Sequence, residues 1–227
     1  MEQAPVTTSF RASVSQRWEP LFFIGLFLLL SLQVILFVVD TVPVFASIGG
    51  AAATFAALES FIVHYFSYVT VPLILLPLIV LAVTNRKPPW ARRFLDVVGI
   101  YVVVRMCIQL MGLNLLVFDS ITPRFTLIVQ LLFFLPYSLL VWGWIYWRLD
   151  ARAGAANRQW FRLDGDHGVQ RPIDYLVASF SSVFSASISG IKGRSARARM
   201  LILVHGFFVY DLMGLTLSRA VALIQSK

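Results

Sequence analysis

The sequence predicts an all-α integral membrane bundle of about five transmembrane helices, with a short re-entrant, pore-type helix before the last one. Three observations carry that expectation. The chain is 59% hydrophobic and only 13% charged, with a mean hydropathy of +0.80, where soluble domains hold roughly 45–50% apolar residues. Several apolar runs reach the ~20 residues that a helix needs to cross about 30 Å of hydrocarbon. The basic residues gather in short loops beside those runs. A net charge of +8 would suggest nucleic acid in a soluble chain, but this placement reads as topology signalling and attraction to anionic lipid. Membrane lipid is therefore an expected partner and nucleic acid is not.

The first 19 residues are polar and lack a signal-peptide pattern, so they read as a cytoplasmic segment. Pro20 opens the first apolar run, which continues to Val39; the first helical turn has no use for the donor that proline lacks. Val63–Val83 forms the second run and contains Pro72 and Pro77, both of which remove backbone donors and predict kinks. The stretch 51–62 reads either as an interfacial helix or as the lower part of a long second span. Val97–Phe118 is the third run, completing a three-helix bundle over residues 20–125. Thr126–Trp147 is the fourth and ends in Trp142, Trp144, Tyr146 and Trp147, an aromatic cluster suited to a membrane interface. After a polar linker, Ile173–Gly190 is apolar, Ser-rich and short, so it reads as a half-helix that enters the membrane and returns. Met200–Ile224 closes the chain as the fifth run.

Orientation follows from the loops. Arg11 and Arg17 precede the first run, and Arg86, Lys87, Arg92 and Arg93 separate the second from the third, whereas 40–62 carries no Lys or Arg. This places the N-terminus in the cytoplasm, and a plasma (inner) membrane is the expected location. The same count puts the linker and the run Lys192, Arg194, Arg197 and Arg199 on the cytoplasmic side.

Residues 126–227 are ordered as outer helix, linker, pore-type helix and inner helix. Within them, DYLVASFSSVFSASISGIKGRSARAR resembles the pore module of the potassium-channel superfamily, whose pore helix runs into TVGYGD and then into an Arg that opens the inner helix. Ser179, Ser182 and Ser185 stand where that family has Ser and Thr, Ser195 takes a Thr place and Arg199 opens the last helix. The filter aligns with Ser185, Ala186, Ser187, Ile188, Ser189 and Gly190, so serines replace both glycines whose backbone freedom aims successive carbonyls inward. The resemblance thus implies pore-loop architecture with a non-standard filter, monovalent cations as solute and a homo-oligomer. The family's loop enters from outside, while the charge count has this one enter from the cytoplasm. Either 51–62 adds a crossing, or the loop is inverted as in glutamate-receptor-like channels.

Polar residues inside spans ask for partners, because a buried charge there costs about 2.5–3.5 kcal/mol on insertion scales. Arg105 and Gln109 lie in the third run; His205, Tyr210 and Asp211 lie in the fifth. An Arg105–Asp211 ion pair is the structural expectation, and a cation or proton path lined by Asp211, His205 and Tyr210 is the functional one. Six residues apart on a helix, His205 and Asp211 point about 120° from each other, so they face different neighbours. Gly206 and Gly214 are candidate hinge or close-packing points.

No metal, cofactor or enzymatic chemistry is expected. Cys107 is the one cysteine, Glu59 and His64 have the wrong spacing to stack as ligands, and Asp164, Asp166 and His167 read as a turn. Ser189 and Lys192 make a lone SxxK with no supporting second motif. The functional expectation is a multi-pass, ion-channel-like protein, with an assembly subunit or a small-solute or proton transporter as alternatives.

Overall fold

The computed structural model describes residues 18–32, 50–62, 64, 67–84, 88–118, 124–154, 159–163, 171–184 and 190–225. The regular elements among these residues are helices and one small ribbon. The elements are α1 (Trp18–Leu32), α2 (Gly50–Phe61), α3 (Ser67–Val83), α4 (Ala91–Phe118), α5 (Arg124–Gly154), β1 (Phe161–Leu163), α6 (Pro172–Phe184), β2 (Ile191–Gly193) and α7 (Ala196–Gln225). Among the described residues, three helices are long and apolar enough to cross a membrane, over Ala91–Leu115, Gln130–Arg152 and Ala196–Ser218. The first two apolar runs appear as shorter helices among the described residues, Trp18–Leu32 and Val71–Val83. The ambiguous stretch after residue 50 is helical, opened by Gly50 at φ +58°, a backbone angle that glycine adopts without penalty.

Two compact units form. The first comprises Met1–Ile108 with Ile121–Thr126, and the second Gln109–Ser120 with Leu127–Lys227. The first unit is assembled from helical stripes. Phe23, Leu26, Phe27 and Leu30 are buried on α1, Ile74, Leu78 and Leu81 on α3, and Leu95, Val98, Val102 and Met106 on α4. These spacings of three and four keep one face inward. Pro72 and Pro77 sit inside α3. At the start of α4, Arg92 holds both carboxylate oxygens of Glu19 at 2.7 and 3.1 Å and also reaches Asp96 at 2.9 Å. A residue expected from the sequence to lie in a basic loop thus stands in the first turn of α4 and makes an ion pair.

The second unit holds the ribbon. Phe161 pairs with Gly193, Arg162 with Lys192 and Leu163 with Ile191, antiparallel, and the Arg194 amide extends the ladder to the Trp160 carbonyl at 2.9 Å. The linker expected to be merely polar therefore carries a strand. Phe161, Leu163 and Ile191 are buried while Arg162 and Lys192 are exposed, the alternation that a pleated strand imposes.

Candidate functional site: the excursion between α5 and α7

The ribbon has a topological consequence. Because Leu163 lies opposite Ile191, the segment from 164 to 190 begins and ends at one place. Within it, α6 has 13 residues and is about 20 Å long at 1.5 Å per residue, too short to cross a bilayer. By Gly190 the chain is again alongside α6, since a Cβ built on Gly190 would lie 3.6 Å from both Ala178 Cβ and Ser181 Oγ.

Local sequence sets both ends of the excursion. Pro172 occupies the first turn of α6, and the Asp174 carboxylate accepts from the Arg171 amide at 2.7 Å, reaching back to the cap as acids at the third helical position do. Ser195 caps α7, its hydroxyl accepting from the Ala198 amide at 3.1 Å. Gly193 permits the turn between ribbon and α7: a Cβ there would lie 2.7 Å from the Arg199 nitrogen.

Asp150, at the end of α5, ties these parts together. Its Oδ1 accepts from the backbone amides of Trp160 at 2.5 Å and Phe161 at 3.2 Å, and its Oδ2 from the Tyr175 hydroxyl at 2.5 Å. The side chain is buried, and a buried carboxylate is tolerable when donors such as these satisfy its oxygens. One residue thus fixes β1 and α6 to α5. Tyr175, Ala178, Ser179 and Ser182 form the buried stripe of α6. Ser179 donates to the Leu139 carbonyl of α5 at 2.8 Å, and Ser182 to the Ser179 carbonyl at 2.6 Å. These hydroxyls, aligned above with the channel family's Ser and Thr, turn inward. At Gly143 of α5 a Cβ would come within 2.5 Å of Leu176 Cδ2 and 2.9 Å of Leu176 Cα, so α6 packs directly on the α5 backbone.

Deeper in the unit, His205 is fully buried against α5. Its Nδ1 and the Tyr146 hydroxyl share a hydrogen bond of 2.9 Å, and its ring stacks on Trp142 at 4.7 Å. Asp211, about 9 Å further along α7, accepts instead from the Asn114 amide of α4 at 2.7 Å. Tyr210 lies on the outer face, 76% exposed. His205, Tyr210 and Asp211 are therefore not brought into one path: each takes a different side of α7, as the 100° step per residue dictates.

Arg105 is buried in the first unit, and the expected pair with Asp211 would join residues of different units. Gly214 is not a close-packing point among the described residues, since a Cβ there meets nothing within 4 Å. Gln109 Oε1, both polar atoms of Gln130, Trp142 Nε1 and His205 Nε2 are buried with no hydrogen-bond partner among the described residues. Of the filter-like segment only Gly190 is described; Ser185, Ala186, Ser187, Ile188 and Ser189 lie outside the described residues, as do Asp164, Asp166 and His167. Among the described residues no group of three or more His, Cys, Asp or Glu could hold a metal ion.

Sequence reading missed Asp150, Gly143 and the ribbon. The available signal for Asp150 was an acid directly after an apolar, aromatic-rich span, where an unpaired charge is costly. Large exposed apolar side chains such as Leu73 (65%) and Phe207 (73%) belong to a surface made for lipid or for other membrane helices. With the three spans, they define the class: a helical membrane protein. No protein-family model, curated protein or solved structure matches the chain.

Proposed function

We propose that the C-terminal unit is a re-entrant, pore-loop-type module through which an oligomer of this protein passes, or regulates the passage of, ions. The observation that carries this reading is the ribbon closure. A short helix leaves and returns to one level between two helices of spanning length, which is how non-helical backbone is accommodated at membrane depth when it lines a cavity. In this reading Ser185–Gly190 offers serine hydroxyls and backbone carbonyls to monovalent cations. A single module encloses no axis, and the outward stripe of α7, with Leu203, Phe207, Tyr210 and Leu217 exposed, is the face available to further copies.

The full chain in liposomes is expected to pass potassium or sodium, and Ser187→Trp to abolish the flux. In a Cys107→Ser background, single cysteines at Gly168 and Lys192 are expected to label from the same side of the membrane; labelling from opposite sides would make 164–190 a crossing and sink the module. A non-conducting assembly subunit is the second reading, favoured by the inward turn of Ser179 and Ser182, which leaves α6 with a packing role. Absence of flux at every voltage, together with a tight native partner in pull-downs, would select it.

A further inference from the structure

Charge is distributed unevenly along this chain. Between 148 and 199 stand nine Arg or Lys against four Asp, an excess of five in a protein whose net charge is +8. Two of those acids are committed to structure: Asp150 is buried on the backbone amides of β1, and Asp174 caps α6. The ribbon then arranges the cations. Arg162 and Lys192 are direct cross-strand partners on the exposed face. Arg194, also exposed and bonded back to Trp160 through its backbone amide, follows Lys192 by two residues at the end of the ribbon. Like charges placed directly opposite one another on a ribbon repel, and an anion bound between Arg162 and Lys192 relieves that repulsion.

The source of that anion follows from the position of the ribbon. β2 leads within three residues into α7, whose spanning stretch starts at Ala196, so this face stands at the end of a bilayer-crossing helix, at headgroup level. Arg197 and Arg199 then occupy the first turn of α7, which holds no acid. That is the unfavourable end of the helix dipole for a cation, and a negatively charged membrane surface compensates it.

From these features we infer that the outer face of the β1–β2 ribbon, formed by Arg162 and Lys192 with Arg194 at its end, binds the phosphate headgroup of an anionic phospholipid. The site requires membrane insertion but not ion conduction, so its failure and the failure of the pore-loop reading are separate results.

The test is native mass spectrometry of the detergent-solubilised full chain titrated with phosphatidylglycerol and with phosphatidylcholine. Wild type is expected to prefer phosphatidylglycerol. Each of Arg162→Gln, Lys192→Gln and Arg194→Gln is expected to lower that preference about fivefold, from the typical worth of one basic residue at an anionic surface, and the triple variant about a hundredfold. The single variants keep the test valid if the triple variant does not fold. Arg93→Gln, an exposed cation at the start of α4, is expected to leave the preference unchanged. Three outcomes overturn the inference: no change in the three single variants, an equal loss with Arg93→Gln, which would mean diffuse attraction, or full displacement of the lipid by equimolar inorganic phosphate.

Discussion

The two units of this protein are held together by different means. Among the described residues, the N-terminal unit packs through apolar stripes at helical spacing and carries an ion-pair cluster at one end, where Arg92 meets Glu19 and Asp96. The C-terminal unit is knit by polar groups along its length: Asp150 to the ribbon and Tyr175, Ser179 to Leu139, Tyr146 to His205, and Asn114 to Asp211. In hydrocarbon an apolar contact gains little over lipid, while an unpaired polar group is expensive, so interhelical hydrogen bonds and close packing carry specificity. The polar ties described in the C-terminal unit gather where it departs from plain helices, because an excursion with non-helical backbone needs its ends fixed.

Asp150 offers the largest test of that contrast. Asp150→Ala strips acceptors from two backbone amides and from Tyr175 at a buried point, and an unsatisfied buried group costs about 1–3 kcal/mol each. A loss of about 3 kcal/mol or more in chemical unfolding of the detergent-solubilised protein is expected, with faster trypsin cleavage at Arg162 and Arg171 as the excursion loosens. Tyr175→Phe removes one of the three bonds and is expected to cost about 1–2 kcal/mol. If Asp150→Ala unfolds like wild type, the C-terminal unit is not organised around this carboxylate.

Gly143→Ala comes next, at about 1–3 kcal/mol for an overpacked contact. The new methyl group meets the Leu176 backbone as well as its side chain, so α6 must move away from α5. Protection of Tyr175 and Ser179 amides in hydrogen exchange should fall together in this variant; a fall confined to residues beside 143 would mean that α6 docks independently of this contact.

Arg92→Gln tests the other side of the comparison. Glu19 is buried, with its side chain 6% exposed, whereas Arg92 remains 41% exposed. Solvent reaches the pair, so the expected loss is about 1–2 kcal/mol, below that of a fully buried pair. Arg93→Gln, on the exposed side of the same turn, is expected to stay within about 0.5 kcal/mol of wild type. Equal effects from the two would reduce the ion pair to a surface charge effect.

The same contrast explains what was legible in the sequence. Long apolar runs carry their own evidence, and α4, α5 and α7 lie over the third, fourth and fifth of them, each extended at one end or both by a short stretch that includes charged residues. The divergence of His205 and Asp211 follows from helical geometry alone, which their separate partners on α5 and α4 reproduce. The ribbon left no such trace: strands of three residues, one of them Ile-Lys-Gly, are too short to show an alternating pattern. Asp150 finds its partners 10, 11 and 25 residues away, a relation fixed by the return of the chain and by no local spacing.

Glycine gives the smallest test and the most direct lesson of this kind. The last span offers Gly206 and Gly214 as hinge or close-packing points, yet among the described residues α6 approaches α5 tightly at Gly143, while a Cβ at Gly214 meets nothing within 4 Å. A glycine in a sequence declares freedom of approach without saying which neighbour uses it. Gly214→Ala in the isolated chain should therefore be stabilising by about 0.5–1 kcal/mol, the ordinary gain from replacing glycine inside a helix. Under conditions where copies associate through the outward stripe of α7, the same methyl group sits at a helix–helix contact and should weaken association, since small residues let backbones approach there. Unfolding and cross-linking measured on one preparation separate the two effects: a stabilised monomer with weaker cross-linking places a second copy on this face, and a stabilised monomer with unchanged cross-linking leaves the face to lipid.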